Sequence, residues 1–247
     1  MDFTINFYSC IAHQIQIDQT QILALSHDVD ITLDSQENYN FVIPTKYQGV
    51  VNLVVTQSVA AEITLFCADA VDVTVRLIIL FPQIADIDVS VMICGDHSNV
   101  TILGMCAIAE QQVVTIKTKQ IHCGKHSKSR VIMQGLITGC ARFAYDGMIR
   151  IEKDACGTYA LQNNKNILLS STATAISIPN IEVLHHDVQC YHGAAIGKFN
   201  AHQMHYMQSR GLNEVKIQQL LVQELFAQVL QGYEKREFIL QRVYEKI

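Results

Sequence analysis

The stretch HHDVQCYH (185–192) puts three histidines and one cysteine into eight positions. Imidazole and thiolate suit zinc, iron or copper, and the same two groups serve Cys–His nucleophilic chemistry. What the segment can do depends on its backbone. On a strand, His186, Val188, Cys190 and His192 share one face, and His185, Asp187, Gln189 and Tyr191 share the other. Cys190 and His192, two apart, can then approach one ion or one reacting group, with His186 as a further candidate. Spacing names no third, orienting group, and plain packing at a strand end is the competing reading.

A second dense stretch, HCGKHSKS (122–129), invites comparison with a phosphate-binding loop. That pattern needs a glycine five positions before the Gly-Lys pair, and a helix after it. Lys119 holds the glycine position, and the strand-like SRVIMQG follows. A turn between strands is therefore expected, with no nucleotide bound by this chain. His122 and His126 could touch a metal, but nothing nearby fixes a third ligand. The sequence has no serine nucleophile elbow, H-E-x-x-H, dinucleotide-binding or EF-hand pattern, and its twelve glycines are scattered.

The elements that position these residues are written in period two. VDITLD (29–34), VVNLVVT (50–56), AEITLFC (61–67), VDVTVRLIIL (71–80), ADIDVSVMIC (85–94), NVTILGMC (99–106) and VVTIKTKQIHC (113–123) alternate or are continuously β-branched, as strands are. Separators are short and carry no helical pattern, which excludes a βαβ sheet. An antiparallel sandwich and a parallel β-helix remain. Turn dipeptides are scarce, with one Asp-Gly at 146–147. Strands run on without a long loop, and cysteines 94, 106, 123, 140 and 156 recur at a loose interval, which favours stacked coils.

Near residue 200 the period changes. Asn200 can N-cap a helix reaching Ser209 and closed by Gly211; Asn213 and Glu214 open a second. Val222, Leu225, Phe226, Val229 and Leu230 form an apolar stripe, and a third helix after Gly232 carries Ile239, Val243 and Ile247. The expected division is a β domain over 1–199 and a helical domain over 200–247. The helices are expected to cap an open end of the solenoid or to offer their stripe to a partner groove.

Composition narrows the function class. The 247 residues are 49% hydrophobic and 17% charged, with a net charge of −5, so no basic footprint points to nucleic acid. No apolar run approaches the ~20 residues that span a bilayer, and MDFTINFYSC lacks the marks of a secretion signal. A soluble cytoplasmic protein with reduced thiols is expected. Seven of its eight cysteines, all but Cys190, read as small buried hydrophobes.

From His186 to Leu230 the chain closely resembles the C-terminal region of the SufB/SufD family of iron–sulfur cluster assembly proteins. DVQCYHGAAIG (187–197), YMQSRG (206–211) and the amphipathic helix after them carry the likeness. QNNKNILL (162–169), IPNIEV (178–183) and IHCGKHSKS (121–129) fit the same family. The resemblance implies a right-handed parallel β-helix with a C-terminal helical domain. It also implies pairing through the last β-helix strands, with a SufB-type subunit or with a second copy. The C-terminal helices would dock a SufC-type ABC ATPase, through residues such as Arg210, Gly211, Leu221, Leu225 and Phe226.

SufB-type members carry a cysteine important for cluster building where this chain has Asn164, and a glutamate where it has Gly193. His192 matches the interface histidine of SufD-type members, whereas IHCGKHSKS is closer to the SufB form. The resemblance thus favours a non-catalytic, SufD-like subunit handling transient iron or an iron–sulfur cluster, with His192 and Cys190 at the assembly interface. The chain opens almost directly on strands, which predicts that the family's N-terminal helical region is missing. The alternatives are a metal-dependent β-helix enzyme using His186, Cys190 and His192, and a purely structural β-helix dimer.

Overall fold

The computed structural model describes residues 22–24, 26–33 and 37–247. The expectations about an export signal, Cys10 and an N-terminal helical region fall outside the described residues. Short strands come first: β1 (Ile22–Ala24), β2 (Val29–Thr32), β3 (Glu37–Ile43) and β4 (Gln48–Val55). Longer ones follow: β5 (Val59–Cys67), β6 (Asp72–Leu80), β7 (Ile84–Ile93), β8 (Asn99–Ile108) and β9 (Val113–His122). The last are β10 (Lys128–Ile137), β11 (Arg142–Ile151), β12 (Thr158–Leu168), β13 (Thr174–Val183) and β14 (Val188–Gly197). Helices α1 (Ala201–Ser209), α2 (Glu214–Phe226) and α3 (Arg236–Tyr244) complete the chain.

Odd-numbered strands form one seven-stranded sheet and even-numbered strands another, each strand pairing in parallel with the strand two before it. The chain therefore winds as a parallel β-helix, each coil giving one strand to each sheet. Ile22 lies opposite Asn40, Val59 opposite Ala85 and Arg142 opposite Thr174, so the coil lengthens from 18 to 26 to 32 residues. Of the spaced cysteines, Cys94, Cys123, Cys140 and Cys156 stand at corners and Cys106 lies within β8, so their interval does not mark successive coils.

Inward side chains stack in rows along the axis. Val51, Val75, Ile102 and Val131 make one row, and Phe41, Leu65 and Val91 another, all of them buried. Burying such a side chain is worth about 1.5–3 kcal/mol, and the parallel ladder fixes which residue sits on which. At the corner between odd and even strands, Lys46, Ala70, His97, His126 and Gly157 all have positive φ, and each donates its N–H to the next coil. Corners built from single left-handed residues explain why hairpin dipeptides are scarce. The Asp146-Gly147 pair is not a turn; it lies within β11.

The helices form where their caps predict. Asn200 Oδ1 accepts from His202 N and Gln203 N, Asn213 Oδ1 accepts from Lys216 N, and Gly211 follows α1 with φ 88°. They do not close an end of the solenoid. Val222, Leu225, Phe226, Val229, Leu230, Ile239 and Val243 pack against Ile78, Leu80, Leu103, Met105, Ile132 and Ile167, on the outer face of the even-numbered sheet. That face is apolar because β6 and β8 bury consecutive residues rather than alternate ones.

One buried cation fastens this seam. Arg76 projects from β6 and donates from Nε to Val229 O (2.6 Å) and from Nη2 to Gln231 O (2.9 Å). Its Nη1 donates to Asn52 Oδ1, and its guanidinium lies 5.3 Å from the Tyr233 ring centroid. Burial pulls the Arg76 pKa down, yet carbonyls past the end of α2 supply the negative ends of peptide dipoles. Arg76→Ala should cost about 3 kcal/mol in urea unfolding and make 201–247 the first segment cut by limited proteolysis. Unchanged stability would mean that the apolar seam holds the helices alone.

Candidate functional site

Cys190 and His192 stand on β14, the end strand of the even-numbered sheet. The register places Cys190 on Ala160 and His192 on Gln162, and both of those partners are fully buried. The two predicted ligands therefore face the solenoid interior at its wide end, where no further coil covers them among the described residues. Cys190 is half-buried against Ile149, Ile151 and Ala160, while His192 is exposed. Burial raises the Cys190 thiol above its ordinary pKa, opposite to what an activated nucleophile needs. His186 is not on the strand. It precedes β14, exposed, with its ring stacked on His185 at 4.9 Å. Among the described residues, no group of three His, Cys, Asp or Glu side chains is placed to hold a metal.

Behind these residues the interior turns polar. Rows that are apolar in the narrow coils carry Thr118, Gln120 and His122 on β9, and Gln162, Asn164 and Asn166 on β12, all buried. Asn166 Nδ2 donates to Asn164 Oδ1 at 2.6 Å, and Asn164 Nδ2 to Met133 O at 3.1 Å. The Gln162 amide crosses to the opposite sheet, where a Cβ on Gly147 would come within 2.3 Å of its Nε2. Neither amide atom of Gln162, nor Ser177 Oγ, has a partner among the described residues, although each is buried. The alternation QNNKN (162–166) signals polar inward positions, but pairing Gln162 with His192 requires a 30-residue coil that the sequence does not mark.

His122 is the most perturbed of the predicted candidates. Both ring nitrogens lie 2.7 Å from hydroxyls, Nδ1 from Ser127 and Nε2 from Ser129. Those contacts occupy both ligand positions, and burial lowers its pKa to about 4. His126 sits instead at the corner, its ring 5.2 Å from that of His97. The two do not converge on one ion.

The remaining predicted residues lie elsewhere. Arg210 and Gly211 are exposed at the C-terminal end of α1. Leu221, Leu225 and Phe226 are buried, Leu225 and Phe226 directly against the chain's own sheet. These three side chains are therefore not available as surface contacts; the stripe is consumed within the molecule. Of the cysteines, Cys67 and Cys106 are buried, with Cys67 pushed up to about 12 by desolvation. Cys140 is exposed and Cys94, Cys123 and Cys156 are half-buried at coil corners, which corrects the reading of them as core residues.

Residues 56–225 match the family model described as SUF system FeS cluster assembly, SufBD core domain. The chain belongs to the SufBD family. The iron–sulfur cluster assembly protein SufD of Escherichia coli is 25% identical over 158 residues, which is 64% of this chain and 37% of that protein. An iron–sulfur cluster assembly SufBD family protein of Mycobacterium tuberculosis is 26% identical over 62% of this chain and 41% of its own length. A chloroplastic SufBD family protein of Arabidopsis thaliana is 30% identical over 50% of this chain and 22% of its own. The chain thus spans about two fifths or less of the relatives it matches. In this SufBD member Asn164 is locked in the interior amide pair, while Gly193 faces outward with room beside it, 3.8 Å from Asn163 Oδ1.

The His122 environment gives a pH test. An unfolded imidazole takes up a proton near 6.5, whereas the folded one resists to about 4. Between those values the unfolded state binds more protons, so stability present above pH 6.5 is lost as pH falls toward 4. Urea unfolding should show a slope of up to about 1.4 kcal/mol per pH unit in that window, absent in His122→Asn. An unaltered slope in the variant would assign the dependence to other groups.

Proposed function

We propose that this chain is a SufD-like, non-catalytic subunit of the SUF assembly machine, supporting iron delivery or cluster formation at a subunit interface. The observation that supports this most is the state of the wide end. β13 and β14 are end strands with unpaired edges, and Ile176, Ile178, Tyr191 and Ile196 are 45–58% exposed there. Edges this long and apolar are normally covered in a soluble protein. A second β-helix end, from a SufB-type subunit or another copy of this chain, would cover them. It would also bring its own ligands to Cys190 and His192, which are too few alone to hold iron.

The absence of cysteine at Asn164 and of glutamate at Gly193, with His192 present, supports the SufD-like assignment over a SufB-like one. We place the cluster as cargo at that interface and ATP hydrolysis in a SufC-type partner. With Leu221, Leu225 and Phe226 buried, the docking surface falls to Arg210, Gly211 and their exposed neighbours Tyr206 and Val215. No helix among the described residues is long and apolar enough to cross a membrane.

In cells that depend on this chain, His192→Ala should lower iron–sulfur enzyme activities at unchanged protein level. Normal activities would favour a purely structural role. Affinity purification should recover a SufC-type ATPase, and Arg210→Ala should weaken that recovery without changing thermal stability. Recovery of no ATPase by the native chain would remove the partner assignment.

A further inference from the structure

The pentapeptide Cys-Gly-x-His-Ser occurs twice, at 94–98 and 123–127. The offset of 29 residues equals that between the paired residues Ile93 and His122, so the two copies lie on successive coils in register. The glycines, histidines and serines of the motif each have a structural reason. The glycines permit close backbone approach: a Cβ on Gly95 would fall 2.1 Å from the Ala68 carbonyl carbon, and one on Gly124 2.1 Å from Gly95 O. The histidines take the left-handed corner position, with φ of 58° and 53°. The serines close the turn, Ser98 Oγ donating to Ala68 O and Ser127 Oγ to Gly124 O.

The cysteines follow Ile93 and His122 by one residue and so stack coil on coil, Cys94 N donating to Cys67 O and Cys123 N to Ile93 O. Both are thiols here and both are half-buried, open to small reagents in a way that Cys67 and Cys106 are not. Neighbouring strands lie about 4.8 Å apart, within the roughly 4.4–6.8 Å Cα separation of disulfides. Arg150, fixed to Glu152 at 2.6 Å on the next coil, lies within electrostatic reach of Cys123.

We propose that Cys94 and Cys123 are a redox pair that closes to a disulfide between coils when a small-molecule disulfide such as oxidised glutathione is present. The Cys123 thiolate attacks one glutathione sulfur, forming a mixed disulfide and releasing one glutathione thiolate. Cys94, after losing its proton, attacks the Cys123 sulfur of that mixed disulfide and expels the second glutathione. Two protein thiols are oxidised and one glutathione disulfide is reduced to two thiols. In-register side chains stand slightly farther apart than a relaxed disulfide prefers, so the bond is readily reversed by excess thiol.

The test uses the intact native chain, incubated with oxidised glutathione, quenched by alkylation under denaturing conditions and digested with trypsin. Cys123 then lies on the peptide 120–125, and Cys94 on the peptide 77–117 together with Cys106. The expected result is a chain lighter by two hydrogens, with these peptides linked through Cys94 on fragmentation and the link lost after dithiothreitol. Cys94→Ser should instead leave Cys123 as a stable glutathione adduct. Glutathione adducts on both cysteines of the native chain, a Cys123–Cys156 link, or two thiols still open to alkylation would each overturn the proposal.

Discussion

Everything in this molecule depends on register between successive coils. Each inward side chain rests on the equivalent side chain of the coil before it, and the parallel ladder allows no independent adjustment of one row. Val51, Val75, Ile102 and Val131 illustrate the rule in the apolar half, and Gln162 and His192 extend the same row into the polar half. Placing a histidine at the edge of the sheet is thus a consequence of where the row ends. The same register stacks Cys94 on Cys123 and Gly124 on Gly95.

The two sheets meet different neighbours. The central strands of the even-numbered sheet are buried on both faces, inward against the rows and outward against the helices, with Arg76 bonded to the Val229 and Gln231 carbonyls. That arrangement uses up the amphipathic stripe and leaves the other side of α1 and the start of α2 as free helical surface. Among the described residues the wide end is uncovered, with exposed isoleucines and tyrosine beside exposed His192 and buried polar atoms of Gln162 and Ser177 that lack partners. A site whose second half lies on another chain accounts for both features.

Period-two alternation was enough to read most strands between 29 and 123 and to put Cys190 and His192 on one face, and residue type placed the helix caps at Asn200 and Asn213. It could not give the coil length, because coils grow along the axis and no residue type marks each return. Without that length, Gln162 could not be set behind His192, nor Cys94 beside Cys123. The position of the helices was written in VRLIIL (75–80) and LGMCAI (103–108), where apolar residues occupy both faces, a signal that is equally that of any doubly buried strand. His186 fell away because the strand begins two residues after it, at Val188.

The central claim is that the uncovered coil is the working edge of a SUF subunit. Hydrogen exchange on the chain, alone and after mixing with a SufB-type subunit, tests it most directly. The account predicts that amides of Thr174–Val183 and Val188–Gly197 slow on mixing, or are already slow in a self-dimer that dilution releases. Unchanged exchange there in a complex that protects some other surface would contradict it.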